Sequence, residues 1–143
     1  MPQKPGSFAP CRSFCGIQYN NKKLLLPKRS ETSETDPGRY AFLGEHLASG
    51  EFYIEGLNRG LREELSITKY HFKELGKHTF KYDKQAEKVK LFLVFIESSD
   101  IKLKKDAHTK YKWLTKEELL EITDNLPELT RHWIKTLPWF RQT

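Results

Sequence analysis

The sequence predicts an α/β fold in which a mixed β-sheet carries helices on both faces. Three observations lead there. Strand-like segments, a helix, more strands and two further helices follow one another along 143 residues, an order that suits layered packing around a central sheet. Leu91-Phe92-Leu93-Val94-Phe95-Ile96 is an apolar run of strand length, far short of the roughly 20 residues that cross a bilayer. Ile54, Leu57, Leu61 and Leu65 recur at the helical period and form one apolar stripe.

Taken in order, residues 1–10 hold Pro2, Pro5, Gly6 and Pro10 and read as a loose lead-in, with residues 11–143 as one domain. Ser13–Tyr19 and Lys23–Pro27 read as strands joined at Asn20-Asn21, a pair suited to a positive-φ turn. Ser30–Gly38 is a polar loop and Tyr40–Leu43 a short strand. Glu51–Leu65 reads as a helix started by Ser49 and Gly50. Strands follow near Tyr70–Phe72, Lys77–Tyr82 and Val89–Glu97, the last two joined at Asp83-Lys84-Gln85. After a basic loop from Ser98 to Ala107, Thr109–Leu114 is the final strand. Thr115-Lys116-Glu117-Glu118 fits a capping box and opens a short helix. Pro127 suits the first turn of a last helix, with Leu129, Trp133 and Leu137 on one face.

Composition places the chain among ordinary globular proteins, with 37% hydrophobic and 31% charged residues. Cys11 and Cys15 are the only cysteines, too few for a disulfide scaffold or a zinc cage. They read as packed or exposed thiols. The absence of an apolar leader or spanning segment leads to the expectation of a cytoplasmic protein with no membrane partner. The formal charge of +6 is moderate and spread out, with the stretches from Lys69 to Lys90 and from Lys102 to Lys116 carrying most of it. It is a solvated surface or an attraction for anions; nucleic acid stays open as a partner but is not favoured over a small phosphorylated molecule.

The informative stretch is residues 44–67. Glu51 is followed after seven residues by Arg59-Gly60-Leu61-Arg62-Glu63-Glu64-Leu65-Ser66-Ile67. This resembles the Nudix box, G-x5-E-x7-R-E-U-x-E-E-x-G-U, where U is a bulky aliphatic residue. Glu51, Arg59, Leu61, Glu63, Glu64 and Ile67 fill their places. Three positions depart: Glu45 stands where the box opens with Gly, Gly60 replaces the Glu after Arg59, and Ser66 replaces the second Gly. Leu24–Arg29 and Tyr111–Leu114 with Glu117-Glu118-Leu119 resemble the family's flanking segments. The resemblance implies a Nudix-type α/β/α sandwich with a mixed sheet.

It also implies a chemistry. The family hydrolyses nucleoside diphosphates linked to another moiety, using Mg2+ or Mn2+. Diphosphate hydrolysis needs charge neutralisation and an oriented water, which a carboxylate-held cation supplies. Residues i and i+4 share a helix face; in the family the Glu after the Arg and the second Glu of the pair share the metal work. Here those positions are Gly60 and Glu64, so half of the pair is absent. Glu63 and Glu64 are the candidate catalytic and metal-binding carboxylates, and Gly44, beside the box's opening position, is a candidate carbonyl ligand.

At roughly 100° per residue, Gly56, Gly60, Glu63 and Glu64 lie on one flank of the apolar stripe, with Glu51, Glu55 and Arg59 toward the other. Two helical glycines cost about 1 kcal/mol each relative to alanine. Either they leave room for a metal, water or backbone beside the carboxylates, or they allow close packing. Glu51, Glu55, Arg59 and Glu63 stand four apart, which makes an ion-pair ladder or, by the resemblance, an Arg59 that orients carboxylates such as Glu51. Glu45 could turn into the site as a catalytic replacement for the lost carboxylate, or face solvent. Glu97, Asp100 and His46 are further candidates near the site. Lys28, Arg29 and Glu51 are the candidate substrate-binding residues; Tyr40, Tyr111 and Trp113 are core aromatics or a stacking surface for a base.

Residues 44–66 are also similar to isopentenyl diphosphate isomerase, a Nudix-fold enzyme that likewise lacks the Glu at the Gly60 position. That enzyme's catalytic Cys falls on Gly44 here, so isomerase activity is not expected. Two functions stand: a divalent-metal-dependent hydrolase, or a Nudix-fold binding module for a nucleotide, phosphorylated metabolite or RNA in which hydrolysis is lost. Pairing into a homodimer stays open.

Overall fold

A computed structural model of the chain describes residues 10–19, 23–33, 36–82, 85–104 and 106–136. β1 (Cys11–Tyr19) lies at the centre of a six-stranded sheet. It runs parallel to β5 (Gln85–Ile96) along its whole length. Its other edge is divided. β3 (Leu43–His46) pairs with Arg12–Cys15 and β2 (Lys23–Arg29) with Ile17–Tyr19, both antiparallel. β4 (His71–Tyr82) extends the sheet beyond β5, and β6 (His108–Thr115) extends it beyond β2. The sheet is therefore mixed, as the sequence predicts.

Side chains alternate across a strand, and here both faces are covered. On one face Phe92, Val94 and Ile96 join Cys15, Ile17 and Leu25 beneath Leu57, Leu61 and Leu65 of α1 (Tyr53–Leu65). On the other, Val89, Leu91 and Leu93 join Leu24, Leu26 and Phe42. That layer is closed by Leu119 of α2 (Lys116–Ile122) and by Leu129, Trp133 and Ile134 of α3 (Glu128–Lys135). A strand buried on both faces reads as a continuous apolar run, which explains residues 91–96. Each fully buried leucine contributes about 2 kcal/mol.

Several boundaries differ from the sequence reading. The third strand is Leu43–His46 rather than Tyr40–Leu43; Tyr40 makes only an isolated bridge to Lys28. The segments at 70–72 and 77–82 are one strand, interrupted by a bulge between Glu74 and Gly76, where Gly76 takes φ 116°. A bulge of this kind keeps a strand continuous across a residue that pattern alone reads as a break. α1 starts after Phe52, not at Ser49-Gly50: the Glu55 carboxylate accepts the Phe52 N–H at 2.8 Å. Ile54 lies in that first turn and is 45% exposed, because the buried seat goes to Tyr53. The capping box at Thr115 forms, with Glu118 N–H donating to Thr115 Oγ1 and Thr115 N–H to Glu118. Pro127 caps α3 from just outside. Cys11 and Cys15 are buried thiols that form no disulfide. Among the described residues no helix is long and apolar enough to cross a membrane. The expected turns at Asn20-Asn21 and Asp83-Lys84, residues 1–9 of the lead-in and Leu137 lie outside the described residues.

Candidate active site

α1 ends in a Schellman motif: Ser66 N–H donates to Arg62 O and Ile67 N–H to Leu61 O, at 3.1 and 3.0 Å. Ser66 supplies the left-handed conformation, φ 58°, at the position where the box has Gly. Lys102 N–H and Lys104 N–H then donate to the carbonyls of Leu65 and Glu64. The basic loop is thereby tied to the last turn of α1.

Arg59 organises the carboxylates at the other side of the helix. Its Nε and Nη2 each lie 2.9 Å from an oxygen of Glu51, a bidentate pair. Nη1 contacts Glu45 at 2.5 Å and Nη2 donates to the His46 carbonyl at 2.8 Å. Glu51 also accepts the Ala48 N–H at 2.8 Å, and its pKa is lowered chiefly by the Arg59 hydrogen bonds. The simple ladder of residues four apart does not form, because Glu51 precedes the helix and Glu55 serves its N-terminus. Glu63 stays half exposed, 3.9 Å from Arg59.

The two helical glycines divide the two readings of them. A Cβ on Gly56 would stand 2.3 Å from Leu47 Cδ2, so Gly56 serves close packing. A Cβ on Gly60 would stand 3.2 Å from Cβ, Cγ and Oε2 of Glu45. The Glu45 side chain thus occupies the space above Gly60, beside Glu64. Burial pushes the Glu64 carboxyl up to about 8, and the adjacent Glu45 carboxylate adds to this; Arg29 and Lys104 pull the other way. Glu64 Oε2 is buried without a hydrogen-bond partner.

Two adjacent carboxylates, one with an orphaned buried oxygen, form a donor set that fits Mg2+ or Mn2+. Such an ion takes one or two carboxylates and completes its shell with water and substrate phosphate. Among the described residues no three His, Cys, Asp or Glu side chains converge into a complete protein cage. Gly44 sits on β3 opposite Phe14, one residue before Glu45.

Strand alternation separates the basic pair. Arg29 shares the α1 face with Leu25, and its charge acts on Glu64 and His108. Lys28 falls on the opposite face with Leu24 and Leu26, paired with Lys110. Tyr40 also belongs to that far layer, with Lys112 Nζ 4.5 Å from its ring centroid. His46 turns away from the carboxylates to Arg12, at 2.8 Å, and Glu87, at 3.0 Å. Glu97 and Asp100 line shallow hollows with Lys69 and Ser98 near the start of β4.

The sequence reading missed His108. It opens β6 opposite Arg29 and is 2% exposed, with both ring nitrogens lacking partners. Burial and Arg29 push its pKa down to about 4, against the pull of Glu45. Only the cross-strand register, shifted between Lys28 and Arg29, could have brought it to this site.

The family model described as the NUDIX domain matches residues 9–140. No curated protein matches the chain. The chain is similar to the MutT protein from Methanosarcina mazei Go1 at 23% identity, covering 100% of each chain, with a TM-score of 0.79. It is similar to the NUDIX domain of Shewanella oneidensis NrtR, solved with ADP ribose, at 12% identity over 100% of this chain and 91% of that one, TM-score 0.72. A Caenorhabditis elegans (C. elegans) Ap4A hydrolase binary complex aligns at 18% identity over 93% and 98% of the two chains, TM-score 0.69. The match over nearly the whole sequence and the shared fold place the chain in one family: it belongs to the NUDIX domain proteins.

Proposed function

We propose that the protein is a divalent-metal-dependent hydrolase of a nucleoside diphosphate linked to another moiety. The observation that carries this reading is the Glu45 side chain lying over Gly60 beside Glu64. The carboxylate missing from the helix is supplied in space by β3. Glu45 and Glu64 would hold Mg2+ or Mn2+, and Glu63 stands at the solvent side of the same helix with Gly44 next to Glu45. When bound, the ion would neutralise diphosphate charge and lower the pKa of a coordinated water. Arg59 fixes Glu45 and Glu51 through its fork, so the carboxylates need little rearrangement. Arg29 offers a guanidinium to a phosphate on the face where Glu64 lies. Lys28, on the far face, serves this purpose less well.

The alternative is a binding module that has kept the scaffold and lost turnover. Hydrolysis assays on a panel of nucleoside diphosphate derivatives with Mg2+ or Mn2+ decide between the two. Wild type should release a nucleoside monophosphate, and Glu64→Gln and Glu45→Gln should each lose at least about a hundredfold, in the range of losing a main charge-stabilising group. An unchanged rate in Glu64→Gln would overturn the assignment. Metal-dependent binding with no turnover in wild type would establish the binding module.

A further inference from the structure

Successive side chains of a strand point to opposite faces of the sheet, so the residues on either side of Glu45 look away from the carboxylates. Glu45 pairs with Ser13, whose hydroxyl donates to the Tyr53 carbonyl at 2.6 Å, and both face α1. Gly44 and His46 face the other layer. There His46 pairs with Arg12, and Arg12 pairs on its far side with Val89 of that layer. Glu87 stands two residues before Val89 on the same face of β5.

Arg12, His46 and Glu87 close into one cluster. Arg12 Nε lies 3.1 Å from Glu87 Oε1, and Arg12 Nη2 donates to Glu87 Oε2 at 3.3 Å. His46 Nε2 lies 2.8 Å from Arg12 Nη2 and 3.0 Å from Glu87 Oε1. A bare Nε2 accepts from Arg12, and a protonated one donates to Glu87. Burial acts to raise the Glu87 carboxyl, but His46 and Arg12 hold it below the ordinary carboxylate range, so it keeps its charge. Arg12 and Glu87 are buried, and separating a buried ion pair is costly, which holds the pair to one geometry. Gly44-Glu45-His46 carries no apolar side chain, so burial alone does not fix this part of β3. Gly44 lets the arginine lie against the strand: a Cβ there would stand 3.0 Å from Phe14 Cδ1 and 3.3 Å from Arg12 Cδ. From the site side, Arg59 Nη2 donates to the His46 carbonyl at 2.8 Å. The residue next to Glu45 is thus fastened from both faces of the sheet.

We propose that His46, held by Arg12 and Glu87, is a positioning residue for Glu45: the cluster on the far face fixes the end of β3 so that the Glu45 carboxylate lies over Gly60 beside Glu64. It touches neither metal nor substrate. This rests on the reading of Glu45 and Glu64 as the metal site.

The test is a double-mutant cycle on the full chain, read by calorimetric titration with Mn2+. His46→Ala should weaken Mn2+ binding about tenfold, the low end for a group that orients a metal ligand. His46→Gln, whose amide can accept from Arg12 and donate to Glu87, should restore it. Glu45→Gln should weaken binding at least about tenfold. Adding His46→Ala to Glu45→Gln should cause no further loss, because the group it orients is already gone. Gly16→Ala, which strains the core further along β1, should leave Mn2+ affinity unchanged and so separates positioning from general loosening. More than half of the His46 side chain is exposed; should His46→Ala still not fold, His46→Leu, which keeps bulk without a polar atom, takes its place. Wild-type affinity in His46→Ala, or losses that multiply in the double variant, would overturn the positioning role and leave the metal reading intact. No Mn2+ binding by wild type would overturn the metal reading and the proposal with it.

Discussion

Glu45 lies over Gly60 so closely that a single added carbon at position 60 would meet three atoms of its side chain at 3.2 Å. The two positions therefore compete for one volume. Glu45→Gly should weaken Mn2+ binding on the order of tenfold or more. Gly60→Glu alone crowds a second carboxylate into the occupied space and should cost about 1–3 kcal/mol of stability. The double variant Glu45→Gly with Gly60→Glu should recover Mn2+ affinity, because it returns the carboxylate to the helix. Calorimetric titration of the three variants checks this; no recovery in the double variant would show that the two positions are not interchangeable.

Glu64 gives the metal-free protein a defined pH dependence. Its folded pKa, raised to about 8, lies above the ordinary value of 4.5. Between those values the folded state holds a proton that the unfolded state has released, so stability falls as pH rises through the window. The melting temperature should drop between pH 5 and pH 8, on the order of 5 °C. Glu64→Gln should flatten that part of the curve. Thermal denaturation across pH with and without Mn2+ measures it, and a profile that is the same in wild type and variant would sink the prediction.

Ser66 holds a left-handed conformation, φ 58°, at the end of α1. A residue with a Cβ costs roughly 1–2 kcal/mol there. Ser66→Gly should therefore stabilise the protein by about 1 kcal/mol, read as a higher midpoint in urea. A lower midpoint would mean that the Ser66 side chain contributes something the backbone geometry does not reveal.

Trp133 crosses β1 directly above Gly16, donating Nε1–H to the Phe92 carbonyl at 2.6 Å. A Cβ on Gly16 would stand 2.5 Å from two atoms of the indole. Gly16→Ala should destabilise by about 1–3 kcal/mol, the usual cost of forcing an extra carbon into a packed core. Chemical denaturation tests this, and a companion Trp133→Phe change in the Gly16→Ala background should relieve part of the loss.

The helix with its box and the apolar strand at residues 91–96 were legible in the sequence because periodicity, fixed spacing and run length encode them locally. The strand at 43–46 was not: Gly44-Glu45-His46 carries no alternating apolar signal, and it is a strand because β1 leaves Arg12–Cys15 an open edge. Within the site, Glu51, Arg59, Glu63 and Glu64 follow from the fixed spacing of the box. That Glu45 fills the space over Gly60 could only be raised as one of two alternatives, since a loop-to-strand approach has no fixed period. The placing of His108 depends on register between β2 and β6, which a single chain of letters does not specify, whereas the separation of Arg29 from Lys28 follows from β2 running on to Arg29 instead of ending at Pro27.

The outer strand has a bearing on how such molecules meet. β4 is twelve residues long and ends the sheet, a length that would ordinarily invite a neighbour's strand to add to it. The break in pairing at Glu74 and Gly76, and the exposed Lys73, Lys77 and Lys81 along it, spoil that edge as a template. Like-charged rows would face one another across any such seam. Lateral growth of the sheet into fibrils or ribbons is thereby discouraged at this border, and two copies that do associate are steered toward some other part of their surface.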